Sequence, residues 1–231
     1  MQFCGKVIQS RSKYSDRVPS TCFSPVDHIG KCEQYPYLAQ LLQEAPHLAA
    51  KIKRDATMTT GAAWASSDAG PNRILRWVMQ MNDDALKDYD IDMTSLSPII
   101  QAKLREKGAS YSDCMDVARK LTWLAYGTVG APTARESIRT GLEAEFGTIR
   151  KNGSVCLVCR EPIPFSAFAE GRRGRATVET AHALPRQHDA QNVGFAHRSC
   201  NIAQGDKDLP AFYGWITQIL LNVEAQRGTA T

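Results

Sequence analysis

The chain has 231 residues, 43% of them hydrophobic, and a formal net charge of +4. This is the composition of an ordinary globular protein with one large or two small domains, and its charge is a mild pointer to a polyanionic partner. No run approaches the roughly twenty apolar residues of a membrane span, and Met1 to Tyr14 lacks the apolar stretch of a signal peptide, so a cytoplasmic protein with no membrane partner is expected.

Residues 1–35 are polar, show no sustained period and read as an irregular arm. Cys4, Cys22, His28 and Cys32 lie there and offer the donors of a second zinc site, although their spacing is not that of a standard finger and buried thiols account for them equally simply. The chain holds seven cysteines, an odd number that suits reduced thiols and metal better than a disulfide framework.

Residues 36–150 carry a helical pattern and are expected to form a domain for DNA recognition. Leu38, Leu41 and Leu42 mark a short helix, and Pro46 suits the first turn of another that ends near Arg54. Thr57 to Gly70 reads as a long loop, and Pro71 to Tyr89 as an amphipathic helix with Ile74, Trp77, Val78 and Met81 on its apolar side. Pro98 to Lys107 predicts a helix stopped by Gly108, and Ser112 caps a run through Leu121 to Gly127. That pair is either a helix-turn-helix or plain helix packing. Thr133 with Glu136 has the form of a capping box for a helix ending at Gly147. Lys151 to Ser154 then reads as a linker into a third region, 151–231, which closes with an amphipathic helix from Leu209 to Val223 that packs on this region or on a second subunit.

Two cysteines separated by two residues, Cys156 and Cys159, can grip a tetrahedral zinc ion from one turn, and His197 with Cys200 repeats that spacing and completes a four-donor set. Between the pairs stand Glu179, Ala181, His182, Leu184, Pro185 and Asn192, and Asn201 follows the last cysteine. Order and spacing together resemble the HNH, or ββα-metal, endonuclease family in its zinc-containing branch. The resemblance covers Ser154 to about Tyr213 and implies an α+β fold, with a helical N-terminal region followed by a zinc-stabilised ββα-metal module and a C-terminal helix.

By that resemblance His182 matches the general base, Asn192 the residue that pins the loop, and Asn201 the helix residue that holds a catalytic Mg or Mn ion. Many members carry a ligating Asp or His where this chain has Ala181; Glu179 shares its strand face and is the candidate to reach the ion instead. An imidazole is suited to deprotonating water near neutral pH, and a divalent ion to stabilising the charge on a cleaved phosphodiester. Arg172, Arg173, Arg175 and Arg186 cluster around the expected catalytic strand as candidate contacts to DNA, most simply double-stranded. His188 is a further candidate for metal or DNA contact, or a solvated loop residue. The expected function is a metal-dependent DNA endonuclease of restriction or phage type, for which a homodimer suits a palindromic target. The alternative is a zinc-stabilised nucleic-acid-binding module that lost catalysis with its ligand acid.

Overall fold

The computed structural model describes residues 4–8, 20–22, 24, 27, 35–57, 78–79, 81, 83–97, 100–101, 104, 109, 111–169 and 176–228. Most of the expected loop at 57–70, residues 71–77, 80 and 82 of the helix expected at 71–89, much of 98–107, and residues 108 and 110 in the turn of the possible helix-turn-helix lie outside these residues. So do His28, Cys32, Arg172, Arg173 and Arg175. The described residues form an α+β structure of helices and two small antiparallel sheets, each of two strands.

At the N-terminus β1 (Val7–Ile8) pairs with β2 (Ser20–Thr21). Cys22 donates its N–H to Lys6 and accepts from Gly5, so Cys4 and Cys22 lie at the ends of one short ladder. Helix α1 (Ala39–Glu44) and helix α2 (Pro46–Thr57) follow. Pro46 opens α2, where its missing N–H would have had no helical partner. Leu48, Ala49, Ile52 and Ala56 recur at spacings of three and four and are all buried. After a short α3 (Asp83–Lys87) comes α4 (Tyr111–Tyr126), which buries Val117, Ala118, Leu121 and Ala125 and packs on α2.

Helix α5 (Glu136–Phe146) ends at Gly147 as its sequence suggests, but it begins later than a Thr133 cap would have it. No side chain from the N-cap residue bonds the first turn. Instead Gln40 of α1 accepts from the Arg135 N–H at 2.8 Å and donates to the Thr133 carbonyl at 2.9 Å. The amide of a distant helix thus meets the N–H of Arg135, the N-cap residue of α5, a donor other than the Thr133 and Glu136 N–H groups of the expected capping box.

Lys151 to Ser154, expected as a linker, is fastened to α4. Ser154 donates from its N–H to Gly127 and from its hydroxyl to the Leu124 carbonyl at 2.6 Å. A Cβ on Gly127 would stand 2.4 Å from that hydroxyl oxygen, so only glycine lets the two segments close. Beyond it, β3 (Val178–His182) pairs antiparallel with β4 (Val193–His197), and α6 (Arg198–Gln204) leads directly from β4. One hydrophobic cluster runs from Tyr37 through α2 and α4 to Phe168, Phe195 and Phe212. The last helix, α7 (Leu209–Gly228), contributes Leu209 and Phe212 to that core, while Trp215, Ile216, Ile219, Leu220 and Val223 are exposed.

Candidate metal centre and active-site hairpin

The turn carrying Cys156 and Cys159 closes because Arg160 adopts a left-handed φ of 65° and returns its N–H to the Cys156 carbonyl. Cys156 in turn donates to Glu161, and Leu157 donates to the Phe195 carbonyl at 2.8 Å, hooking the turn onto β4. A Cβ at Gly194 would meet Leu157 at 3.3 Å, so the strand and the turn fit because that position is bare. His197 ends β4 and Cys200 lies in the first turn of α6, which carries both to the same place.

Ligand atoms of Cys156, Cys159, His197 and Cys200 all lie within 4.8 Å of one another, and Cys159 Sγ is 3.4 Å from His197 Nδ1. Tetrahedral zinc with ordinary Zn–S and Zn–N bonds would separate sulfur and nitrogen by about 3.6 Å, so the donor set and its spacing fit the ion. The His197 N–H also points at Cys156 Sγ, at 3.4 Å. Burial opposes a thiolate at Cys156, but the backbone N–H groups of Cys159, His197 and Val158 outweigh it and hold this thiol below its usual range. Burial first, and then the neighbouring thiols, push Cys200 up to about 11. A divalent cation relieves that crowding of sulfur charge, and its binding would release the proton.

On the hairpin, Val193 faces His182, Gly194 faces Ala181 and Ala196 faces Glu179. Alternation therefore puts Glu179 and Ala181 on one face, and Thr180 and His182 on the other. The first face is crossed by α6. Glu179 accepts from Asn201 Nδ2 at 2.9 Å and from Arg198 at 3.2 Å, and Ala181 is buried beside this contact without contributing a donor. The second face meets α2, where the Thr180 hydroxyl donates to Asp55 at 2.8 Å.

His182, at the end of β3, is buried, and its Nε2 lies 2.9 Å from Nδ1 of His188. The other nitrogen of His188, Nε2, is 3.0 Å from the Ala56 carbonyl at the end of α2. A carbonyl only accepts, so His188 carries its proton on Nε2. In the neutral pair its Nδ1 then accepts from the Nε2–H of His182. His188 is thus not a solvated loop residue. It is buried, and with Ala56 it sets the orientation of the His182 ring.

Asn192 clasps the intervening loop, accepting from the Leu184 N–H at 2.7 Å and donating to the Leu184 and Gln187 carbonyls at 2.7 and 2.6 Å. Gln204, fully buried in α6, donates to the His182 carbonyl at 2.9 Å. Arg186 is also buried and donates to the Met81 carbonyl, so its guanidinium is engaged in the interior. Sequence reasoning missed the participation of Asp55, Ala56 and Gln204, none of which carries a motif.

The family model named DraIII matches residues 34–200. A solved structure described as the crystal structure of a type II restriction endonuclease is 42% identical to this chain, with a TM-score of 0.74, and the match covers 97% of this chain and 100% of that one. No curated protein matches the sequence. A match of this extent, over the same hairpin and metal cluster, shows that the chain belongs to the DraIII family of restriction endonucleases and is a nuclease, a hydrolase of phosphodiester bonds.

Proposed function

We propose that the protein is a metal-dependent DNA endonuclease of the HNH type, with His182 as general base and a magnesium or manganese ion held by Asn201 and Glu179. The observation that carries this reading is the 2.9 Å contact between Glu179 and Asn201. Two residues from different elements, each expected to serve the ion, meet on the face of β3 that α6 crosses, while His182 ends the same strand on its other face, and they do so although Ala181 supplies no ligand. A carboxylate and an amide are oxygen donors of the kind magnesium prefers, and so small a set suits an ion that keeps waters and phosphate oxygens as its remaining ligands. When bound, the ion would stabilise negative charge on the phosphate and on the departing 3′ oxygen.

The chain's own residues do the rest. His182 is the acceptor of the attacking water's proton, while His188 and the Ala56 carbonyl orient its ring. Asn192 fixes the loop that follows, and the zinc set fixes the start of the helix bearing Asn201. The expected products carry 5′-phosphate ends.

One observation favours the alternative of a non-cleaving binding module: Glu179 is already paired with Arg198. A metal titration of cleavage separates the two. Glu179→Ala is expected to raise the half-saturating magnesium concentration by roughly ten- to a hundredfold; an unchanged requirement would remove Glu179 from the site. His188→Ala is expected to lower kcat by about ten- to a hundredfold with little change in KM, and His188→Asn, which keeps an acceptor, to recover part of it. Equal losses in kcat and in folding stability for both variants would make His188 a packing residue only.

Restriction-type cutting breaks both strands of a duplex, and each chain carries one His182, so we assign the functional unit to two copies on a palindromic target. The exposed stripe of Trp215, Ile216, Ile219, Leu220 and Val223 on α7 is the surface proposed for that pairing. Ile219→Asp should yield a monomer that nicks one strand at a time; sedimentation of the wild-type protein as a monomer on its DNA would contradict the assignment.

A further inference from the structure

A groove of about 580 Å³ lies between α4, the segment from Phe146 to Val155, the zinc-binding turn and β4. Among the described residues its charged lining is Lys120, Arg150 and Arg160, with no acidic side chain. The Lys120 ammonium stands over the Trp123 ring at 4.3 Å and the Phe146 ring at 5.0 Å, and Trp123 is held in turn by its indole N–H on the Gly147 carbonyl. Arg160 closes the zinc-binding turn, so its position is tied to the metal cluster. Lys120, Trp123 and Arg150 take no part in the machinery described above.

Placement gives the groove its meaning. Val193, Gly194 and Phe195 of β4 form part of its wall, and Val193 is the register partner of His182. Neighbouring strands are about 4.8 Å apart, so the groove begins one strand from the residue assigned as general base. Nucleotides along one DNA strand rise about 3.4 Å each, so a backbone presenting a phosphate to His182 would bring its next few phosphates to this groove. A lining with one sign of charge complements that linear polyanion.

We propose that this groove seats the DNA backbone flanking the cut, with Lys120, Arg150 and Arg160 neutralising phosphates next to the scissile one. The proposal rests on the assignment of His182 as the catalytic base. It concerns affinity and register rather than chemistry: arginine and lysine contacts to phosphate position a duplex without reading its sequence.

The test is the salt dependence of binding to a labelled DNA duplex, measured without divalent metal for wild type, Arg150→Ala and Arg150→Lys. A lost phosphate contact lowers the slope of log affinity against log salt by about 0.9, so the alanine variant should lose nearly one unit of slope. Its affinity should fall roughly three- to tenfold at moderate salt, with zinc content and melting temperature unchanged. The lysine variant should restore the slope, and kcat at saturating DNA should stay within about twofold of wild type. Wild-type binding with an unaltered slope in the alanine variant would overturn the groove alone. Wild-type protein that binds no DNA would overturn the groove and the nuclease assignment together.

Discussion

His182→Ala is expected to lower single-turnover cleavage by about two to four orders of magnitude, the range over which a positioned general base contributes. DNA affinity should hardly change, because a general base acts on the water in the transition state and contributes to the rate rather than to holding the duplex. That split between rate and affinity is what distinguishes a base from a packing residue. A buried histidine removed from a core would instead lower the melting temperature and reduce rate and binding together. Thermal unfolding of the variant beside its cleavage rate therefore checks the assignment. Equal losses of stability, affinity and rate would reduce His182 to a core residue.

Removal of zinc is expected to abolish the cooperative thermal transition as well as activity. Apparent binding of structural zinc to three cysteines and a histidine is worth about 10 kcal/mol or more, which rivals the whole net stability of a typical domain, roughly 5–15 kcal/mol. The loss would not stay local. His197 ends β4, Cys200 lies in the turn of α6 that carries Asn201, and the Cys156–Cys159 turn is hooked to Phe195 of β4. Freeing the four donors would release the strand opposite His182 and the helix beneath Glu179 at once. Cys159→Ala should behave as the chelated protein does, with zinc content falling in step with the transition. A cooperative melt near the wild-type temperature in zinc-free protein would show that the hydrophobic cluster alone sustains the fold.

What could be read from the sequence was chemistry set by residue type at short spacing. The four thiol and imidazole donors, the strand ending in His182, the clasp by Asn192 and the helix bearing Asn201 all lie within a stretch of about fifty residues, where side-chain type and periodicity constrain geometry directly. Contacts between distant segments stayed hidden. His188 gains its role from the Ala56 carbonyl, 132 residues away, and Thr180 is held by Asp55 at a separation of 125. Similarly, the N–H of Arg135, which caps α5, is met by Gln40, 95 residues earlier, a tertiary partner that no local signal at Thr133 announces. Alanine and glutamine carry no signature of such work: a backbone carbonyl exists at every position, and only the fold decides which one faces a histidine. Arg186 illustrates the converse. Its charge beside the catalytic strand suggested DNA, whereas the Met81 carbonyl engages it in the interior.

The most direct measurement incubates wild-type protein and His182→Ala with mixed plasmid, phage and single-stranded DNA, in magnesium or manganese and in excess chelator, and maps the cut ends. Discrete fragments with 5′-phosphate ends, formed only with divalent metal and absent from the variant, are the predicted result. Cleavage that persists in the variant, or none under any metal while zinc and DNA remain bound, would contradict the assignment of His182 and the Glu179–Asn201 pair as the catalytic centre.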